Sequence, residues 1–412
     1  MTSLPTSIRA ALAAQGGFVT FARFMELALT DPEAGYYTGA ELSLGPEGDF
    51  TTAPRRVPAF NQAFAGLLAE LVDALLCARR EGGADVDGHL PLYEIGPGEG
   101  DLAAGVLGAW SRDRPDLRDL VGYRLIEVGE GMRRRQEAAL RTAREAGWSV
   151  QWLPALPRSP GVPPGVGPTG AGIVLTNELL DALPVHRLDV RGTELREAWV
   201  ALRADGSAAG SRAASPLEEQ WASPSSEALE ELALLFGTSD PFALRPLTLD
   251  GRLEVRPRAF EFLSRAAGAV EEGFVVTVDY GEWMSGPDVP GVEGLQSVPH
   301  RESVRSYYRH QRRHSFYDLV GRQDITADVD FRALALHGAR AGFDCLVYTG
   351  LGPLLRALGA GDELARLRAE AVGSLDKDIE AAALAALVED GGLGDTFKVM
   401  VQVREAACDP AR

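Results

Sequence analysis

The sequence predicts an α/β fold built on a doubly wound sheet, and three observations carry that prediction. The first is the stretch Leu92-Tyr-Glu-Ile-Gly-Pro-Gly-Glu-Gly-Asp-Leu102, which reads as a buried strand ending in an acid, a glycine-rich turn and a helix start. The second is Tyr123-Arg-Leu-Ile-Glu127, another strand that ends in a carboxylate and is followed by a helix. The third is a pair of strongly apolar strands, Ile173-Val-Leu-Thr176 and Gly273-Phe-Val-Val-Thr-Val-Asp279. Both run into polar residues at their carboxyl ends, where open α/β sheets bind ligands.

Taken in order, the first ninety residues are helical material. Thr20 can cap a helix carrying Phe21, Phe24, Met25, Leu27 and Ala28, and Pro32 follows its end. After Gly35-Tyr-Tyr37 and Gly48-Asp-Phe-Thr-Thr-Ala-Pro54, a helix runs from about Ala59 to Ala78 with Phe60, Phe64, Leu67, Leu68 and Leu71 on one face. In the glycine-rich stretch, Gly96, Gly98 and Gly100 let the backbone turn tightly and approach a ligand closely. Helical spacing resumes at Ala103, Ala104, Val106, Leu107 and Trp110. A dinucleotide fingerprint needs glycine at the first, third and sixth positions. Counted from Gly96 the sixth is Asp101, so that reading fails, and no Gly-Lys-Ser/Thr follows to make a P-loop.

Beyond Glu127 a helix spans Gly131 to Ala146, and Val150 and Trp152 mark a third strand. Glu127 is placed to accept hydrogen bonds from two ribose hydroxyls, or to cap the following helix. Asn177-Glu178 and Asp181 follow the fourth strand. In a helical turn Glu178 and Asp181 would share a face, either as working acids or as helix N-terminal acids favoured by the dipole. Two strands joined near Arg191-Gly192 occupy Val185 to Leu202, and helical segments fill Leu217 to Phe236. Phe260 to Val270 is helical, Ser285 to Gly294 a loop, and the basic run Arg301 to Arg313 a surface helix or lid. Phe343 to Tyr348 reads as a strand, Leu351 to Val388 as helical, and Thr396 to Val403 as a terminal strand.

Composition bounds the function. At 412 residues and 45% hydrophobic content the chain can hold more than one domain and a sizeable core. A net charge of −18 argues against broad nucleic-acid or anionic-membrane binding and is compatible with a basic partner. Cys77, Cys345 and Cys408 lie far apart without metal-ligand spacing, so no metal site is expected and a reducing compartment is. No charged-then-apolar leader pattern and no apolar run near roughly 20 residues is visible. The expectation is a soluble, cytoplasmic protein of undetermined oligomeric state.

The motif acidic-x-Gly-x-Gly-x-Gly resembles the first motif of class I S-adenosylmethionine methyltransferases. Over most of its length the chain further resembles the MidA-like methyltransferases, a family with a mitochondrial arginine methyltransferase that serves respiratory complex I assembly. The matching stretches are Gly35-Tyr-Tyr37, Gly48 to Pro54, Glu94 to Gly100, Asn177-Glu178 with Asp181 to Val185, Asp279-Tyr-Gly281 and Asp324-Ile-Thr-Ala327 with Val329-Asp-Phe331. The resemblance implies S-adenosyl-L-methionine as cofactor, with Gly96, Pro97, Gly98 and Gly100 around its methionine part and Glu94 orienting the amino group. Glu127 and Asn177 complete the expected cofactor set. Glu178, Asp181 and Asp49 are the expected catalytic acids, holding a guanidinium and concentrating its charge away from the attacking nitrogen. A protein substrate follows from the same resemblance. Two other readings stay open: a different methyl acceptor, and a non-catalytic assembly factor that binds the cofactor.

The family fold adds a closing antiparallel strand, an N-terminal helical cap and an inserted α+β segment. The expected division is a cap at 1–90, core at 91–184, insert at 185–255, core again at 256–284, lid at 285–323 and closing segment at 324–412. The chain departs from the family pattern at four places. Arg55-Arg56 stands for an expected Glu and small residue, Glu302-Ser303-Val304 for Gly-Thr-Leu, and Asp328 for a histidine. A glutamine expected near Tyr348-Thr-Gly350 is missing.

Overall fold

The computed structural model describes residues 4–39, 53–81, 89–157, 169–203, 215–371 and 374–405. The chain forms two compact units. One comprises Met1–Thr51, Leu180–Glu261 and Glu282–Leu336, the other Thr52–Leu179, Phe262–Gly281 and His337–Arg412.

The second unit is built on a mostly parallel sheet. In spatial order its strands are Asp344–Gly350, Phe397–Arg404, Val270–Glu282, Thr169–Asn177, Leu90–Ile95, Val121–Ile126 and Ser149–Leu153. Only Phe397–Arg404 runs against the rest, pairing antiparallel with both neighbours. The remaining pairs are parallel. The doubly wound α/β sheet and its closing antiparallel strand are thus both present. The central strands are apolar on both faces because helices cover both. Leu92, Ile173, Leu175, Val276 and Val278 lie in one core with Phe60, Phe64, Leu68 and Val72 of the helix Pro58–Glu81.

That helix is long and apolar enough to cross a membrane by composition alone. Here its apolar positions are core, and Trp110 Nε1 donates to Ala65 O at 2.8 Å to lock it against the helix Asp101–Asp113. It therefore packs with the glycine-rich strand, although the sequence reading placed it in the cap. The segment 324–336, read as core, falls in the first unit.

The first unit carries a five-stranded antiparallel sheet. Phe18–Thr20, Glu194–Leu202, His186–Arg191 and Arg252–Val255 are neighbours in that order, and Leu217–Ala222 also pairs with Glu194–Leu202. The hairpin joined near Arg191-Gly192 is as expected. So is the helix Phe21–Thr30, whose first turn is closed by Thr20 accepting from the Arg23 N–H at 3.2 Å. A separate sheet orders Gln311–Arg313, Arg305–Tyr308 and Asp324–Thr326.

Three expectations fail on local grounds. The basic run is a β-hairpin rather than a helix, because Arg309 and His310 take left-handed conformations (φ 50° and 59°) and reverse the chain. Leu217–Ala222 is a strand, since its alternating residues pair with Glu194–Leu202 before Ser225 starts the helix Ser226–Phe236. Glu178 and Asp181 do not share a helical face. Glu178 sits alone at φ 49°, and a short 3-10 turn begins only at Leu180.

Candidate functional site

In the second unit the strand Leu90–Ile95 delivers Glu94 to the carboxyl edge of the sheet. Glu94 is buried, and its Oε2 accepts from Tyr123 Oη at 2.7 Å. Burial pushes its pKa up to about 7. The Tyr123 hydrogen bond works the other way, and the nearby Asp101 charge adds to the rise. A carboxyl so placed is poised to ionise when a cation arrives.

The turn that follows holds Gly96, Gly98 and Gly100 at φ 66°, 52° and 88°. Gly98 explains the choice of glycine most directly. A Cβ there would meet nothing within 4 Å, so the space above the turn is open. Gly100 is the N-cap of the helix Asp101–Asp113, and its N–H donates to Pro97 O at 2.8 Å. The free N–H groups of that helix end suit a carboxylate or another anionic group.

Glu127 lies just past Val121–Ile126. Its Oε1 accepts from the Gly129 N–H at 2.7 Å and its Oε2 from Gln136 Nε2 at 2.9 Å. Gln136 also donates to Gly98 O at 2.8 Å and accepts from Trp152 Nε1 at 2.9 Å. One buried amide thus ties the glycine turn to the second acidic strand end. Sequence reasoning missed Gln136, whose only signal is a polar residue on the inward face of an otherwise charged helix. Asn177 ends its strand with Nδ2 3.3 Å from Glu178 Oε1, and the Glu178 N–H donates to Val278 O at 2.9 Å. Asp279 is fully buried and accepts from the Tyr280 N–H at 2.9 Å. Glu94, the glycine turn, Glu127, Asn177 and Glu178 therefore all stand at the carboxyl ends of one parallel sheet.

Asp181 belongs to the first unit, where a second polar cluster forms. Asp181 and Asp324 are 4% and 5% exposed. Tyr37 Oη donates to Asp324 Oδ1 at 2.8 Å. Burial, then the Asp324 and Asp181 charges, hold the Tyr37 hydroxyl protonated far above its usual range. Arg256 braces this region from behind, its Nη1 donating to Leu180 O at 3.0 Å and Ala327 O at 3.3 Å, and its Nη2 to Asp328 O. Tyr37 and Asp324 lie in two of the matched sequence stretches, where their types alone give neither a role. Asp49 lies outside the described residues, as does Gly48 to Thr52 of its motif.

Two departures from the family pattern acquire partners. Arg55 pairs with Glu99 of the glycine turn, which Arg135 also reaches at 2.8 Å. Asp328 pairs with Arg305 at 2.6 Å and Arg301 at 3.5 Å, while its N–H donates to Ser303 Oγ at 2.8 Å. Among the described residues no cluster of His, Cys, Asp or Glu suits a metal ion.

Comparison with known proteins agrees with this geometry. The chain is 25% identical to the Drosophila melanogaster "Protein arginine methyltransferase NDUFAF7 homolog, mitochondrial", over 97% of this chain and 84% of the fly protein. It is 26% identical to the rat "Protein arginine methyltransferase NDUFAF7, mitochondrial", over 77% of this chain and 66% of that one. A crystal structure from Burkholderia thailandensis bound to S-adenosyl-homocysteine superposes with a TM-score of 0.73 at 26% identity, covering 98% of this chain and 92% of that one. Residues 74–349 match the family described as "Putative S-adenosyl-L-methionine-dependent methyltransferase", and because that match takes in more than half of the sequence, the chain belongs to this family of class I methyltransferases with S-adenosyl-L-methionine as cofactor.

Proposed function

We propose that this protein methylates an arginine side chain of a protein substrate. One observation carries the reading. Asp181 and Asp324 are buried in one unit beside a protonated Tyr37, an anionic cluster that favours a cationic acceptor. The names of the fly and rat relatives support the same acceptor.

Glu94, Gly96, Pro97, Gly98, Gly100, Glu127 and Asn177 are the residues that would hold the cofactor. The donor set fits. A buried carboxyl suits an ammonium group, an open glycine turn suits close backbone approach, and a carboxylate at the second strand end suits a pair of hydroxyls. When bound, the cofactor supplies a methyl group on a sulfonium. The guanidinium nitrogen attacks the methyl carbon, the sulfur–carbon bond breaks, and one proton leaves the nitrogen. Positioning dominates such an in-line displacement. Glu178, Asp181 and Asp49 are assigned to orienting the guanidinium and keeping its charge off the attacking nitrogen.

The rebuilt surroundings of Asp328 favour one alternative, a methyltransferase of the same chemistry with a different acceptor. Incubation with labelled methyl donor and lysate of the host, followed by identification of the labelled residue, separates the two. Label on arginine supports the proposal, and label elsewhere replaces it. A cytoplasmic, reducing location is part of the same proposal. It is supported by the free thiols Cys77 and Cys345, the latter raised to about 11 by burial, and cell fractionation tests it.

A further inference from the structure

We propose that the hairpin of strands Arg305–Tyr308 and Gln311–Arg313 docks an acidic, extended segment of the protein that is methylated, an inference resting on the protein-acceptor reading above.

Charge is the first ground. In a chain at −18, this hairpin exposes Arg309, His310, Arg312, Arg313 and His314 together. Some other arginines of the same unit are paired with carboxylates. Arg301 and Arg305 pair with Asp328, and Arg187 pairs with Glu219 and Glu302. Arg312 and Arg313 have no carboxylate partner among the described residues. Arg312 and Arg313 thus present positive charge at adjacent positions of one strand.

Backbone geometry is the second ground. Gln311–Arg313 is the edge of its three-stranded sheet, and all three residues are exposed. Among the described residues no strand pairs with its outer side. An extended peptide can add there by main-chain hydrogen bonds. Nucleic acid has no matching backbone. A long polyanion would also feel the overall negative charge, whereas a short acidic segment feels mainly the charges within about 8 Å.

Register is the third ground. Arg312 lies opposite Tyr307, and Tyr307 opposite Asp324, so the three share one face of the sheet. Asp324 is the residue that accepts from Tyr37. The row spans two strand spacings, roughly 9.6 Å in all. A segment added outside the edge strand would lie one spacing further out, roughly 14.4 Å from Asp324 along the same face. The basic edge would take acids that accompany the target cation in the same substrate chain.

The test uses the full chain and the double variant Arg312→Glu/Arg313→Glu. Both sites are exposed, so the fold should persist, as unchanged S-adenosyl-homocysteine affinity by calorimetry would verify. The probe is a fluorescein-labelled peptide of alternating Glu and Ala, read by anisotropy. The full chain should bind it with an affinity that falls as salt is added, and the double variant should bind it at least about tenfold more weakly. An alternating Lys and Ala peptide should not bind. Equal binding by both proteins would overturn the proposal. So would tighter binding of oligothymidylate or of phosphatidylserine vesicles than of the acidic peptide, because the patch would then be a general polyanion surface. Methyl labelling of lysate separates this failure from that of the parent reading. If no arginine is labelled, the acceptor assignment falls while the peptide measurement still judges the edge.

Discussion

Cofactor binding should release a proton from Glu94, and its pH dependence can be worked from the structure. With a pKa of about 7 the carboxyl is mostly protonated in the empty protein below neutrality. If only the ionised form holds the cofactor's ammonium group, the apparent dissociation constant scales inversely with the ionised fraction. At pH 6 that fraction is roughly one in eleven, so binding should be about tenfold weaker than at pH 8. Stability runs the same account with the opposite sign. The folded pKa is raised above the ordinary glutamate value of 4.5, so the folded state holds the extra proton between those values. Stability is then lost as pH rises from about 4.5 through 7, by up to roughly 3 kcal/mol. Glu94→Gln keeps the size and an acceptor for Tyr123 while removing the titration. Calorimetry with S-adenosyl-homocysteine across pH 5.5–8.5 in two buffers of different ionisation enthalpy checks both effects. The wild type should take up the pH slope and the proton release, and the variant should lose both while gaining stability at pH 8. An identical pH profile in the two proteins would refute the reasoning, because the slope would then belong to the ligand or to another group.

Four further outcomes are expected. Gly98→Val should abolish cofactor binding while leaving a cooperative unfolding transition, since its Cβ meets no protein atom within 4 Å and the strain at φ 52° costs only about 1–2 kcal/mol; retained affinity by calorimetry would contradict it. Glu127→Ala should weaken binding by roughly 1.5–3 kcal/mol, and a cofactor-bound crystal structure with Glu127 far from both ribose hydroxyls would reject the assignment. Glu178→Gln should depress methyl transfer more than cofactor affinity, and loss of affinity instead would move Glu178 to the cofactor set. His186→Ala should cost roughly 3–5 kcal/mol, because it strips a buried Glu197 of its partner at 2.6 Å. Burial works against the His186 charge, but Glu197 and Glu227 outweigh it and raise the pKa. That stability is therefore full below about pH 6.5 and lost as pH rises through the folded value, so the variant's stability profile should be flatter in this range by chemical denaturation.

The sheet was legible because its signals are local. Apolar strands that end in an acid or a glycine announce both a buried strand and its carboxyl edge, and Glu94, Glu127, Asn177 and Asp279 all fall at such ends. The terminal strand Phe397–Arg404 was legible as a short apolar, valine-rich run, and it pairs on both sides. What failed was decided by contacts distant in sequence or by single backbone angles. The hairpin at Arg309-His310 depends on two non-glycine residues at positive φ, which composition does not announce. Glu178 takes the same unusual conformation, so a spacing argument that assumed a helical turn misjudged its relation to Asp181. Gln136 was invisible because its importance lies in three partners contributed by Gly98, Glu127 and Trp152.

The departures from the family pattern read differently once their partners are known. Arg55 in place of an acid would look like drift of a flanking motif, yet it pairs with Glu99 of the glycine turn. Asp328 in place of a histidine would look like loss of a functional group, yet it holds Arg301 and Arg305. Ser303 joins the same set. Its hydroxyl donates to Glu254 at 2.5 Å and accepts from the Asp328 N–H, while its own N–H donates to Glu254 at 2.7 Å. Glu302 is drawn in by Arg187. Random loss of function leaves buried charges without partners, and such charges are costly. Here Arg55, Glu302, Ser303 and Asp328 each have a partner. Arg256 links this network to the acidic cluster, since one guanidinium binds the carbonyls of Leu180, Ala327 and Asp328. The backbone at Asp328 and the turn that carries Asp181 thereby share one hydrogen-bonded partner. In the unit bearing Tyr37, Asp181 and Asp324, the residues that depart from the family pattern are thus held by hydrogen bonds and ion pairs.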